Sequence, residues 1–173
     1  MASPLNHAPI DVRPSSVRLP DGTDVVVRLQ TPFDRGRIAA LFAGVSAEAR
    51  FLRFGTGMPP TLPRRFLDRL ANVDGEHHVG LVALHDGVVV AATRYLRRSD
   101  LPSEAEVAIT VTDAFQRRGL GRLLVETLRD DAAARGIERF TFEVLGANRA
   151  ARALLAALGA CGSVLPTRRL DPC

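Results

Sequence analysis

Gln116-Arg117-Arg118-Gly119-Leu120-Gly121 lies at the centre of the stretch, residues 104–135, whose reading decides the fold. Upstream, residues 105–112 read Ala-Glu-Val-Ala-Ile-Thr-Val-Thr, and their alternation and β-branching predict a strand with one apolar face. Downstream, Leu120, Leu123, Leu124, Thr127 and Leu128 recur at helical spacing, and Arg135-Gly136 supplies a basic last turn and a glycine stop. The unit is strand, glycine-bearing loop, helix. Orphan N–H groups of the first helical turn point into such a loop and the peptide dipoles add positive potential, so a pyrophosphate or similar anion is the expected ligand. Gly119 and Gly121 lack the Cβ atoms that would keep that ligand from the backbone.

Two familiar anion loops fail on single residues. A P-loop requires Gly-Lys-Ser/Thr, and this chain has no lysine, all 23 of its basic residues being arginine. A dinucleotide fingerprint requires a third glycine where Leu124 stands, and Glu143, near the place of a ribose-binding acid, does not make up for it. Gln116-x-x-Gly119-x-Gly121 instead resembles the acyl-CoA signature, Gln/Arg-x-x-Gly-x-Gly/Ala, of the GNAT superfamily of N-acetyltransferases.

At 173 residues the chain suits one domain with a sizeable core. No segment reaches the length of a membrane span and no apolar signal core opens it, so a cytoplasmic location is expected. Cys161 and Cys173 lie too near the end to staple the fold and read as free thiols. The net charge of +4 comes from arginines spread among acids, without a long basic run or interleaved aromatics, which argues against nucleic acid as the main partner. His77 and His78, adjacent at a strand start, would point to opposite faces and read as surface or loop residues, with His85 at a hairpin end; no metal site is expected.

Residues 1–20 show no periodic pattern and read as a flexible tail, with a single domain over 21–173. Residues 24–30 predict a strand, and Thr31-Pro32 opens a helix through about Ala43 whose buried side is Phe33, Ile38, Leu41 and Phe42. Ser46 caps a second helix ended by Gly55, and residues 62–71 make a third. Strands at 77–85 and 88–97 flank Asp86-Gly87, a hairpin signal. Residues 139–145 alternate as another strand, Asn148 opens a helix stopped at Gly159, and 160–165 can form a last strand. This order fits the α/β GNAT fold, a mixed, mostly antiparallel central sheet flanked by helices, with a shortened C-terminal end. The final strand is expected to be missing, very short or supplied by a neighbouring subunit, which leaves room for a homodimer.

Within that family, Ser46-Ala-Glu-Ala-Arg-Phe-Leu-Arg-Phe54, Ala105-Glu106-Val107-Ala108, and Val144-Leu145-x-x-Asn148 running on to Leu154-Leu155-x-x-Leu158-Gly159 resemble the bacterial protein lysine acetyltransferases of the Pat type. Those enzymes acetylate an active-site lysine of acyl-CoA synthetases, often with a fused sensor or ligase-like domain. Here the catalytic domain is expected to stand alone. The resemblance implies an acetyl-CoA cosubstrate, no metal, and a protein acceptor such as an acyl-CoA synthetase.

A lysine ammonium, with a pKa of about 10.4, must lose a proton before it attacks a thioester, and a carboxylate within reach can take it. Glu106 stands where the resembled enzymes carry a catalytic glutamate; Glu104 shares its face and reads as surface. The family also implies pantetheine and carbonyl contacts at Ile109, Thr110 and Val111. Pyrophosphate contacts fall on Gln116 and on the amides of Arg117, Arg118, Gly119, Leu120, Gly121 and Arg122. Asn148 matches the asparagine that contacts the cofactor arm, and a plain N-cap is compatible with the same residue. Leu155 occupies the place of the tyrosine that many members use to reprotonate the thiolate, and the chain's only tyrosine is Tyr95, so no general acid is assigned. Phe51–Phe54 belongs to the early helices that wall the acceptor groove in the family. A small-amine or antibiotic acetyltransferase, and a non-catalytic acyl-CoA-binding module, remain as alternatives.

Overall fold

The computed structural model of the chain describes residues 13–161 and 163–167. Seven strands lie across one sheet in chain order: β1 (Ser15–Arg18), β2 (Asp24–Leu29), β3 (His78–His85), β4 (Val88–Arg97), β5 (Glu104–Val111), β6 (Arg139–Thr141) and β7 (Val164–Pro166). Five helices flank it: α1 (Arg35–Ala43), α2 (Ala47–Phe54), α3 (Arg64–Ala71), α4 (Leu120–Ala134) and α5 (Arg149–Ala157). Neighbouring strands are antiparallel except β5 and β6, which run parallel because α4 carries the chain back between them. The fold is therefore the mixed, mostly antiparallel α/β sheet that the sequence predicts.

Side-chain alternation divides the core in two. Tyr95, Phe140, Leu120, Leu124 and Leu128 fill one face together with residues of α5, and Ile38, Leu41, Phe42, Leu67, Leu70 and Val82 fill the other. The hairpin between β3 and β4 turns at Asp86 and Gly87, with φ of 49° and 77°, the left-handed pair that a two-residue primed turn demands. Ser46 Oγ accepts the Ala49 N–H at 3.2 Å, and Gly55 at φ 71° ends α2, as the sequence predicts. Arg50 braces that helix from beneath, donating to the carbonyls of Val45 and Met58.

Five expectations are corrected. Ser15–Arg18, assigned to a tail, pairs with β2 as an edge strand, held by Val17 opposite Val25 and by the Arg18–Asp24 ion pair at 2.9 Å; residues 1–12 lie outside the described residues. Phe33, expected inside, is 93% exposed, because Pro32–Asp34 forms a tighter 3-10 turn that rotates it off the face shared by Ile38 and Leu41. Asp34 is buried in its stead, 2.7 Å from Arg28. His78, expected at the surface, is buried against the Asn72 carbonyl at 2.9 Å. Cys161, read as a free thiol, is disulfide-bonded; the chain's only other cysteine, Cys173, lies outside the described residues. Strand β6 also ends earlier than its alternation suggests, since Phe140 and Phe142 stay buried although pairing with β5 stops at Thr141. The last strand, β7, is very short and belongs to the chain itself.

Candidate active site

Strand β5 has a full partner on one side and half a partner on the other. With β4 it pairs from Ala105 to Val111, but with β6 only at Glu104, Ala105 and Glu106. Arg98 N–H donates to the Glu104 carbonyl at 3.0 Å and Thr112 N–H to that of Val90 at 2.9 Å, so the even-numbered residues of β5 turn their backbone groups toward β4. The odd-numbered ones turn away. Past Glu106, Val107, Ile109 and Val111 therefore present N–H and C=O groups into the gap that opens as β6 departs. Such an edge can take an extended, amide-bearing ligand as it would a strand. Of the three strand positions picked from the sequence, Ile109 and Val111 face the gap with their backbones and Thr110 does not. Its backbone faces β4 and its buried side chain lies on the α1–α3 side of the sheet.

The loop after β5 leads to the start of α4. No side chain caps that helix, and its first backbone bond runs from Leu123 N–H to the Gly119 carbonyl at 3.0 Å. The N–H groups of Leu120, Gly121 and Arg122 therefore have no carbonyl ahead of them in the helix. Gly119 has φ of 84°, and Arg117, which bears a side chain, adopts φ of 59°, a left-handed backbone costing about 1 kcal/mol. Gly121 does not open the backbone to a ligand in the way its place in the motif suggests. A Cβ there would meet Ile109 at 3.5 Å and Leu154 at 3.6 Å, so its bare side faces β5 and α5 rather than a ligand in the loop.

The side chains around this loop differ in what they are free to do. Gln116 Nε2 donates to the Val111 carbonyl at 3.2 Å and to Asp113 at 3.1 Å, so it braces the loop against the end of β5. Arg118 is held by Asp21 at 3.2 Å and lies 5.0 Å over the Phe115 ring, and Arg122 pairs with Glu126 at 3.0 Å. Arg117 is exposed and makes no ion pair or side-chain hydrogen bond among the described residues. Asn148 Oδ1 accepts the Ala151 N–H at 3.0 Å as the N-cap of α5, leaving its amide nitrogen without a partner among the described residues.

On the opposite face of the sheet runs a groove of about 740 Å³, walled by the start of α1 and by α3 and floored by β3, β4 and β5. Pairing registers set His78, Leu96 and Glu106 in one row across that floor. Glu106 is exposed, and among the described residues nothing hydrogen-bonds its carboxylate. Glu104, its neighbour on the same face, is committed to Arg139 at 2.8 Å and Arg98 at 3.4 Å with its side chain only 12% exposed. The structure thus separates two glutamates that alternation alone treats alike. Tyr95 lies on the other face, buried, with its hydroxyl donating to Asp131 at 3.1 Å; burial and the Asp131 charge push its pKa up.

Three groups of this face carried no signal in the sequence. Arg53 reaches in from α2 with its Nε buried and unpartnered; burial lowers its pKa, and the charges of Glu106 and Glu143 oppose that. Arg94, diagonal to Glu106 across β4 and β5, is likewise pushed down by burial and by Arg53, with Glu106 opposing; a guanidinium remains protonated even so. Glu143, weighed in the sequence only as a ribose ligand, stands near enough to act on Arg53. Contacts between residues so far apart in the chain leave no local pattern.

Comparison with known proteins agrees with this geometry. Residues 47–160 match the model of the acetyltransferase (GNAT) family. The chain is 33% identical over 151 residues to the acetyltransferase Pat of Mycolicibacterium smegmatis, covering 86% of this chain and 45% of that protein, so it spans less than half of that relative's length. It is 32% identical over 148 residues to an acetyltransferase of Pseudomonas aeruginosa, covering 83% of this chain and 78% of the other. The GNAT domain of S. lividans PAT superposes with a TM-score of 0.79 at 31% identity, over 95% of this chain and 97% of that one. The splayed strand, the uncapped glycine-loop helix and these relatives agree: the chain belongs to the acetyltransferase (GNAT) family.

Proposed function

We propose that the chain transfers the acetyl group of acetyl-CoA to the ε-amine of a lysine in a cytoplasmic protein, an acyl-CoA synthetase in the first instance, by direct attack in a ternary complex. The observation that carries this reading is the position of Glu106. It stands free at the last rung that β5 shares with β6, where the 740 Å³ groove meets the gap between those strands. A groove of that volume can take a loop of a folded protein, and the likeness to Pat enzymes supports the same acceptor.

Each part then has a task. The free amides of Leu120, Gly121 and Arg122, with exposed Arg117, hold the pyrophosphate, while the backbone of Ile109 and Val111 takes the pantetheine arm. Asn148 adds its side-chain amide to that arm. Glu106 accepts a proton from the lysine ammonium, directly or through one water, and the freed amine attacks the thioester carbonyl. A C–N bond forms and the C–S bond breaks. An N–H of β5 in the gap stabilises the oxygen that becomes negative on the way. The thiolate of CoA, with a thiol pKa of about 8.5, leaves without a dedicated acid.

The test is a CoA-release assay with acetyl-CoA and a purified acyl-CoA synthetase, followed by mass spectrometry of the synthetase. Because the chain has no lysine, every acetyl-lysine detected belongs to the acceptor. Acetylation of one active-site lysine with loss of synthetase activity is expected. Turnover with small amines alone would contradict the protein-acceptor reading.

A further inference from the structure

Around Glu106 the positive charges outnumber the partners available to them. Of the acids lining the groove, Asp68 is paired with Arg35 at 2.8 Å, and Asp74 is wrapped by the N–H groups of Glu76, His77 and His78 at 2.8 Å each. Arg53, Arg69 and Arg94 form no ion pair or hydrogen bond with any carboxylate among the described residues. Arg94 lines both the groove and a small cavity of about 20 Å³ beneath it that Arg53 also lines. Arg69 stands exposed on the groove wall, its guanidinium 5.9 Å from the centre of the Phe66 ring. Partly buried guanidinium groups without an anion have given up hydration that a well-placed bidentate carboxylate offsets.

We propose that Arg94, with Arg53 and Arg69, forms an anion subsite that selects acceptor amines carrying a carboxylate near the reacting nitrogen. The inference rests on the acetyl-transfer reading and names the acceptor class for the same site. Diagonal neighbours on adjacent strands have their Cβ atoms about 7 Å apart, so the amine sits at Glu106 while a carboxylate a similar distance away in space meets Arg94. That carboxylate belongs either to an Asp or Glu beside the target lysine or to a free amino acid. The electrostatics serve the chemistry too: guanidinium groups near the acceptor favour its neutral, nucleophilic form, and Glu106 receives the proton.

Two matched pairs of acceptors distinguish the sources: a lysine peptide with a neighbouring Asp against the same peptide with Asn, and free lysine against its decarboxylated counterpart, cadaverine. In CoA-release assays the carboxylate-bearing member is expected to lead by tenfold or more in kcat/KM, chiefly through KM. A lead in the peptide pair identifies a protein-borne acid, and a lead in the amino-acid pair a small acceptor. The preference should collapse in Arg94→Gln and shrink in Arg69→Gln, a surface change that leaves the fold intact, with CoA affinity reporting folding in both. A second measurement is independent of turnover. Fluorescence anisotropy compares the two peptides with lysine replaced by inert norleucine, and tighter binding of the Asp peptide, lost in Arg94→Gln, is expected. Equal binding of both peptides together with no lead in the amino-acid pair, or a preference that survives both substitutions, overturns the subsite. Absence of transfer to every amine contradicts the acetyl-transfer reading instead, and the anisotropy result still decides the subsite.

Discussion

Glu106 and Thr141 form the last rung between β5 and β6, and every feature of the site is measured from it. Before that rung the sheet is closed; after it, the odd-numbered residues of β5 have backbone groups with no strand to meet. Glu106 therefore borders the gap on one side and the groove on the other. A base placed there can reach an amine from the groove as the amine meets a thioester in the gap.

The two glycines of the loop should respond differently to alanine. Gly119 holds φ of 84°, so Gly119→Ala is expected to cost about 1–2 kcal/mol in the loop and to weaken CoA binding by up to about tenfold. Gly121 is in ordinary helical backbone with its nearest neighbour 3.5 Å from a built Cβ, and Gly121→Ala is expected to be neutral or slightly stabilising. Chemical denaturation and CoA titration of the pair check this.

Asp34 links stability to pH. Hydrogen bonds from Arg28 are the largest influence on its carboxyl and hold it at about 2, below the usual 3.8, although burial opposes them. Because the folded pKa is the lower one, the contribution is fully present above about pH 4 and is lost as pH falls from there through about 2, with a size of about 2 kcal/mol. Urea unfolding of the wild type and Asp34→Asn should differ by about that amount at pH 7, and the two curves should converge toward pH 2.

Tyr95 should matter to stability and not to turnover. Its hydroxyl serves buried Asp131, which also holds Arg135 at 2.8 Å, on the face of the sheet away from Glu106. Tyr95→Phe is expected to lower stability by about 1–2 kcal/mol and to leave the CoA-release rate unchanged. A large loss of rate would give the tyrosine a part in the reaction.

Local patterns carried most of the fold into view. The Asp86-Gly87 turn, the Ser46 cap and the strand–loop–helix unit are each set by residues within a few positions of one another, and each stands where the sequence predicts it. The misreadings arose where distant contacts decide. Ser15–Arg18 is a strand because β2 is beside it, since its own residues show no alternation. Phe33 is outside because Asp34 is drawn in by Arg28. At the site, the pattern picks out Glu106 and the loop, whereas the freedom of Glu106 against the commitment of Glu104 depends on Arg98 and Arg139. The gathering of Arg53 and Arg94 around one small cavity brings together residues of α2 and β4, which no spacing in the chain records.

The measurement to make is the CoA-release rate of Glu106→Gln beside the wild type, with CoA affinity measured on both. The amide keeps the shape of the side chain and removes its basicity, so kcat/KM should fall by about 10²–10⁴ while CoA binds as before. An unchanged rate in a variant that still binds CoA would contradict the assignment of Glu106 as the base, and with it the placing of the reaction where the groove meets the gap.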